Sequence, residues 1–428
     1  MLQQFSVENY RSFKNKAVLS LEASADKNLL DNVVQIKREK ILKVATIFGA
    51  NAAGKSNLFF AITAAILMVR FSNYRQIGEP LAQITPYLFD KESASQPTSF
   101  EFVFMVNDKK YVYGFSATTK KICTEYLYVY NSARPATIFE RDESAREPYK
   151  FTDHAVQKKL KPLTERNTEN KLFLATASNW NAEETKEPML WFMQGINTYD
   201  TRYEENTFNI AGNLYENDLD GSLKSFTINF LKEADINISD YSFDVQDVRL
   251  EDLPTIILPK QVGTSPIIQG KKYTIEAFHT IQDANGNSED YRLDLHNESK
   301  GTRNMFFMAP IIKRAFETGE TMCIDEFDTS LHPMLVVYIV GLFNNPHINK
   351  KNAQLIISSH TMSLLNLNEM RRDQIYFVEK NQKTGISDFY SLDEFSPTPR
   401  IREDIRKAYL LGRYGSIPEV GAGGSLWE

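Results

Sequence analysis

Apolar and polar positions alternate with period two in the first part of the chain, the pattern of half-buried strands. Residues 1–22 place Leu2, Phe5 and Val7, then Val18, Leu19 and Leu21, on either side of Asn9-Tyr10-Arg11-Ser12-Phe13. Between 98 and 131, Phe100, Phe102 and Phe104 alternate with polar partners, Asn107-Asp108 makes a turn, and Tyr111, Tyr113 and Phe115 continue. That spacing predicts antiparallel strands. Apolar runs predict buried strands at Val44–Phe48, Thr321–Asp325 and Ala353–Ser358, with a late strand at Gln374–Glu379. Asn57–Phe71, 300–317 and 333–343 predict helices. Strands alternating with helices at both ends point to a parallel α/β core. From 132 to 240 the pattern changes to polar helical segments, Val156–Arg166, Lys171–Ala177 and Leu223–Ala234. The expected plan is therefore an N-terminal lobe (1–131), an inserted, mainly helical subdomain (132–240), a C-terminal lobe (241–420) and a flexible Gly-rich tail (421–428).

Composition narrows this little. The 428 residues carry 49 basic and 55 acidic side chains, a net charge of −6, with 42% hydrophobic and 24% charged residues. This is ordinary globular usage and excludes disorder as the main state. At this length one large core with an inserted subdomain is expected. No apolar run approaches the roughly 18 residues needed to span a bilayer. The first residues lack a basic or apolar signal region, so no signal peptide is expected. Cys123 and Cys323 lie in strand-like contexts without metal-ligand spacing, which predicts reduced structural thiols in a cytoplasmic protein. The acidic balance argues against a nucleic-acid coat but leaves room for a local basic groove formed by Lys37, Arg38, Lys40 and Lys43.

Candidate chemistry begins at Gly49-Ala50-Asn51-Ala52-Ala53-Gly54-Lys55-Ser56, which has the spacing of a phosphate-binding loop between a predicted strand and a predicted helix. Glycines let backbone N–H groups turn inward around phosphate oxygens, and the following helix N-terminus adds partial positive charge. Lys55 would reach the β- and γ-phosphates of ATP, and the Ser56 hydroxyl would ligate Mg²⁺. A nucleotide site also needs a metal-holding carboxylate and a group to orient water. Asp325 and Glu326, closing the apolar run from Thr321, are the candidates: Asp325 for Mg²⁺, Glu326 for the attacking water. His360, ending Ile356-Ile357-Ser358-Ser359-His360, is a candidate γ-phosphate sensor.

The order phosphate loop, long insertion, Glu298-Ser299-Lys300-Gly301-Thr302, Asp325-Glu326, Asp328-Thr329-Ser330-Leu331-His332-Pro333 and His360 resembles an ABC-type ATPase head of the RecF, SMC and OLD-like branch. Asn9-Tyr10-Arg11-Ser12-Phe13 resembles that branch's entry motif. Within the branch the chain looks most like stand-alone bacterial ATPases of phage-defence and abortive-infection loci, which sit beside a separate nuclease of RloB or Toprim type. The resemblance covers about 1–130 and 290–420. It implies an α/β P-loop NTPase head, with a mixed, largely parallel core and an antiparallel lobe. It also implies nucleotide-driven closure of a homodimer or higher homo-oligomer. Ser299 and Gly301 fall in the signature motif, which contacts the γ-phosphate held by a second subunit; Ser299 also reads as a plain helix cap. Lys300-Gly301-Thr302 replaces the Gly-Gly-Gln of transporters.

Asp328 matches the loop that contacts the dimer partner. Arg11 and Ser12 would lie near the base or α-phosphate, with Asn51, Ala52, Ala53 and Asn57 in or beside the loop. Gln83 is taken as the metal-facing glutamine, with Gln96 as the alternative. The implied function is an ATPase switch in anti-phage defence that controls a separate effector, a nuclease. A RecF-like DNA-binding ATPase and a non-hydrolysing nucleotide scaffold are the alternatives.

Overall fold

Val44–Phe48 is buried at all five positions, which requires a central strand covered on both faces. In the computed structural model, which describes residues 1–132, 134–200, 204–249 and 269–418, it lies inside a six-stranded sheet. The order is Ile196–Asp200, Thr321–Asp325, Gln354–Ser358, Val44–Phe48, Ile375–Lys380 and Ser387–Ser391. The first five strands run parallel and the last is antiparallel. The helix Lys55–Arg70 follows the central strand and buries Leu58, Ile62, Ala65 and Val69.

The alternating segments form an antiparallel sheet of seven strands. Its order is Tyr149–Lys150, Ala136–Asp142, Ile122–Tyr130, Lys109–Ala117, Thr98–Val106, Leu2–Glu8 and Ala17–Ser20. Its inward aromatic residues share one hydrophobic core with the helix Lys55–Arg70 and the parallel sheet. Phe104 stacks on Trp191 at 4.0 Å, and Phe102 meets Phe192 edge-on at 5.1 Å. The Gln354 side chain ties the sheets together, accepting from Leu2 N (2.6 Å) and donating to Leu2 O (2.8 Å).

The chain divides into two compact units. The first comprises Met1–Asp200, Ala315–Thr329 and Pro333–Glu428, and the second Thr201–Arg314 with Ser330–His332. The second contains the helices Glu204–Glu216 and Ser222–Glu233, most of Lys300–Thr318, and an antiparallel sheet of Asp240–Arg249, Gln269–Gln282 and Ser288–Asp294. Tyr215, Tyr241 and Phe306 pack ring against ring in its core, and Tyr215 OH donates to Phe306 O at 2.8 Å.

These boundaries correct the expected 132–240 insertion and the 241–420 lobe. Ala136–Asp142 and Tyr149–Lys150 extend the antiparallel sheet, and Ile196–Asp200 pairs with Thr321–Asp325, so this stretch belongs to the first unit. The strands between 240 and 294 build the second unit's own sheet, which makes that unit mixed rather than mainly helical. The tail at 421–428 lies outside the described residues. Among the described residues no helix is long and apolar enough to cross a membrane.

Candidate functional site

The loop Gly49–Ser56 leaves the central strand and enters the helix through two left-handed residues, Ala52 (φ 63°) and Gly54 (φ 121°). Its glycines are there because other segments come too close for a side chain. A Cβ on Gly49 would stand 2.5 Å from Val378 O, and one on Gly54 2.5 Å from Ser387 Oγ and 2.9 Å from Ser12 Oγ. Ser387 Oγ donates to Ala53 O (2.5 Å), Ser387 N to Ser12 O (2.8 Å), and Asn57 Nδ2 to Ser12 Oγ (2.7 Å). Asn51 and Ala52 are exposed at the crest, Ala53 is buried, and Ser56 and Asn57 are half-buried in the first helical turn. Lys55 is buried and donates to Gly49 O (2.8 Å) and Ala50 O (3.1 Å). Burial lowers its pKa, while Asp325, Glu326 and Asp328 oppose that shift.

Those three acids stand on one flank of the central strand, at the end of Thr321–Asp325. Ser358 joins the first two: its Oγ donates to Asp325 Oδ1 (2.6 Å) and accepts from Glu326 N (2.7 Å). Glu326 has a left-handed backbone (φ 51°), a strained conformation for a side-chain-bearing residue. Asp328 Oδ2 accepts from Ser359 Oγ (3.0 Å), His360 N (2.7 Å) and Thr361 Oγ1 (2.9 Å). It therefore clamps the loop that carries His360 in its own chain. Partial burial, then the nearby Lys55 charge, lowers the His360 pKa, with all three acids opposing.

The remaining candidates lie elsewhere. The Arg11 guanidinium sits 4.2 Å from the Phe60 ring centroid, and its backbone N–H donates to Thr85 O at 2.8 Å. Gln83 is not part of the cluster. It accepts from Arg75 Nη2 (3.4 Å), and Arg75 Nη1 donates to Met68 O, about 18 Å along the helix from Ser56 at 1.5 Å per residue. Gln96, the alternative, gives its carbonyl to Asn9 Nδ2 at 3.0 Å. Ser299 and Gly301 belong to the second unit. Ser299 Oγ accepts from Thr302 N (3.1 Å), as a helix cap does. A Cβ on Gly301 would stand 2.7 Å from Ser330 O. Lys43 is buried and donates to Asp31 O (2.6 Å) and Asn344 O (3.0 Å), which removes it from the expected basic groove. Burial pushes both thiols up, the state of unreactive cysteines.

Sequence reasoning missed Ser358 and Ser387. Ser358 stood in the quoted Ser-Ser-His run, whereas Ser387 had no local signal. The donor set suits a Mg²⁺-nucleotide. Ser56 and Asp325 offer hard oxygens, and Lys55 offers a cation. Among the described residues no group of three His, Cys, Asp or Glu side chains gathers to hold a metal.

A family model described as "AAA domain, putative AbiEii toxin, Type IV TA system" matches residues 44–366. No curated protein matches the chain. Among solved structures, the SMC head domain from Thermotoga maritima is similar at 13% identity over 91% of this chain and 98% of that one, with a TM-score of 0.38. The Smc head domain with a coiled coil and joint from Pyrococcus yayanosii is similar at 12% identity over 96% and 99%, with a TM-score of 0.39. Likeness at these values carries no argument about activity or partners.

Proposed function

The chain belongs to this AAA-domain family, and on that premise we propose that it is a Mg²⁺-dependent ATPase whose nucleotide-driven homodimerisation switches a separate effector in anti-phage defence. The observation that carries the reading is the Asp325–Ser358–Glu326 network beside Lys55. It fixes the Asp325 carboxylate and the Glu326 backbone at the edge of a loop shaped for phosphate.

Lys55, already amid three acids, supplies the cation for the β- and γ-phosphates. Ser56 and Asp325 would hold Mg²⁺, which would neutralise charge on the phosphates of a bound nucleotide. Glu326 orients and deprotonates the attacking water. His360, held through its own backbone N–H by Asp328, senses the terminal phosphate. Positioning and electrostatics supply most of the catalysis in phosphoryl transfer, and this cluster is rich in both. Ser299 and Gly301 of a second copy complete each site across the dimer. The family's description names a toxin of a type IV toxin–antitoxin system, which supports a defence role exercised with another protein, a nuclease on the resemblance read above.

ATP turnover and sedimentation of Glu326→Gln against the unaltered protein, with and without ATP and Mg²⁺, test the reading. The expected result is turnover lower by orders of magnitude, with ATP-dependent dimerisation retained or enhanced. Wild-type turnover in the variant would remove Glu326 from its role. An assembly indifferent to ATP would remove the switch.

A further inference from the structure

The sheet order gives the phosphate loop two different neighbours. The acids occupy the flank of Gln354–Ser358 and Thr321–Asp325; the opposite flank carries Ile375–Lys380, Ser387–Ser391 and the turn between them. That turn and two other segments enclose a cavity of about 570 Å³, lined by Lys14, Phe89, Asp90, Gln382, Lys383 and Gly385 among others. Ser387, which touches the phosphate loop at Ala53, lies two residues beyond Gly385. Ile386, which lines the cavity, is the chain neighbour of Ser387, so the cavity wall connects to the loop through that one residue.

Its walls are fixed. Asn381 Oδ1 accepts from Lys383 N (3.0 Å) and Thr384 N (3.1 Å), and Gly385 N donates to Asn381 O (2.7 Å), which stiffens the turn. Tyr87 OH donates to Thr384 O, and Tyr87 N to Asn9 Oδ1 (3.1 Å), stitching the three segments together. Lys14 pairs with Asp90 at 2.8 Å. Against these walls Phe89 is 74% exposed. One side of its ring rests on Gly385, where an added Cβ would come within 2.6 Å of the ring at φ 72°. Tyr87 meets it edge-on at 5.7 Å. An aromatic ring backed by a glycine and open toward a polar cavity is a stacking platform.

We propose that this cavity takes the base and ribose of a purine nucleotide, with Phe89 stacking on the base and the Gln382 amide reading its polar edge. This rests on the reading that the loop binds nucleotide. A terminal phosphate directed toward Lys55 and the acid flank sends the other end of the nucleotide to the opposite flank, where the cavity lies. Phe89 is thereby a binding and specificity residue that contributes nothing to holding the phosphates.

The test compares dissociation constants for ATP and for inorganic tripolyphosphate in the wild type, Phe89→Ala and Phe89→Tyr. Phe89→Ala is expected to weaken ATP binding by roughly 5- to 140-fold, the range for loss of one base-aromatic stack, and to leave tripolyphosphate binding unchanged. Phe89→Tyr restores ATP binding because it keeps a stacking ring. Unchanged ATP affinity in Phe89→Ala, or equal weakening of both ligands, overturns the inference and leaves the phosphate-loop reading intact. A wild-type protein that binds neither ligand overturns both.

Discussion

The two flanks of Val44–Phe48 are built by different means. On the acid flank, side-chain hydrogen bonds do the positioning: Ser358 spans Asp325 and Glu326, and Asp328 gathers three donors on one oxygen. On the hairpin flank, backbone approach and packing dominate: glycines lie where Ser387, Ser12 and Val378 press on the loop, and a ring lies on Gly385. Deleting one polar atom should damage the first flank, and adding one carbon should damage the second.

Lys55 faces the acid flank, and its removal has the largest expected effect. Lys55→Ala should abolish measurable ATP binding by calorimetry, because three acids then repel the phosphates without a compensating charge. Tight binding by this variant would break the assignment of the loop. Next comes Gly54→Ala on the hairpin flank. A forced left-handed residue and overpacking each cost about 1–3 kcal/mol, so urea unfolding should show a loss of ~2–6 kcal/mol. Combining it with Ser387→Ala should return part of that loss, since the pair is in contact. Simple additivity would mean that the clash lies elsewhere.

Ser358→Ala tests the acid flank more finely. It leaves a buried carboxylate oxygen without its donor, expected to cost about 1–3 kcal/mol, and should slow turnover while sparing ATP affinity. The smallest effect concerns His360. Its pKa is lowered in the folded chain, so the unfolded chain binds the proton more readily as pH falls below about 6.5. Stability should decline below that point, and the decline should be shallower in His360→Gln when urea midpoints at pH 7.5 and 5.5 are compared. An identical slope in both proteins would show that His360 does not titrate differently on folding.

The two flanks also differed in how legible they were. The phosphate loop, the Asp325-Glu326 pair and His360 were visible because each is a local pattern, glycine spacing or a buried run ending in a polar group. The strands Thr321–Asp325 and Val44–Phe48 fell where the apolar runs placed them. Contacts made across hundreds of residues left no such trace. Ser12 and Ser387 meet the loop only through the fold, and Gln83 was misplaced because its distance in sequence said nothing of the Arg75 that holds it. The domain boundary near 200 was hidden for a related reason. Polar helices such as His154–Thr164 look alike whether they cover a sheet or form a separate unit, and the short strands beside them decide.

The bond from Ser387 to Ala53 joins residues 334 positions apart. At a synthesis rate of about 5–20 residues per second, the loop waits on the order of tens of seconds for the segment that finishes its surroundings. A ribosome that stalls before residue 387 thus holds a chain with the glycines and the lysine but without the wall that frames them. Emergence of residue 387, rather than appearance of the motif, sets the moment at which this pocket exists.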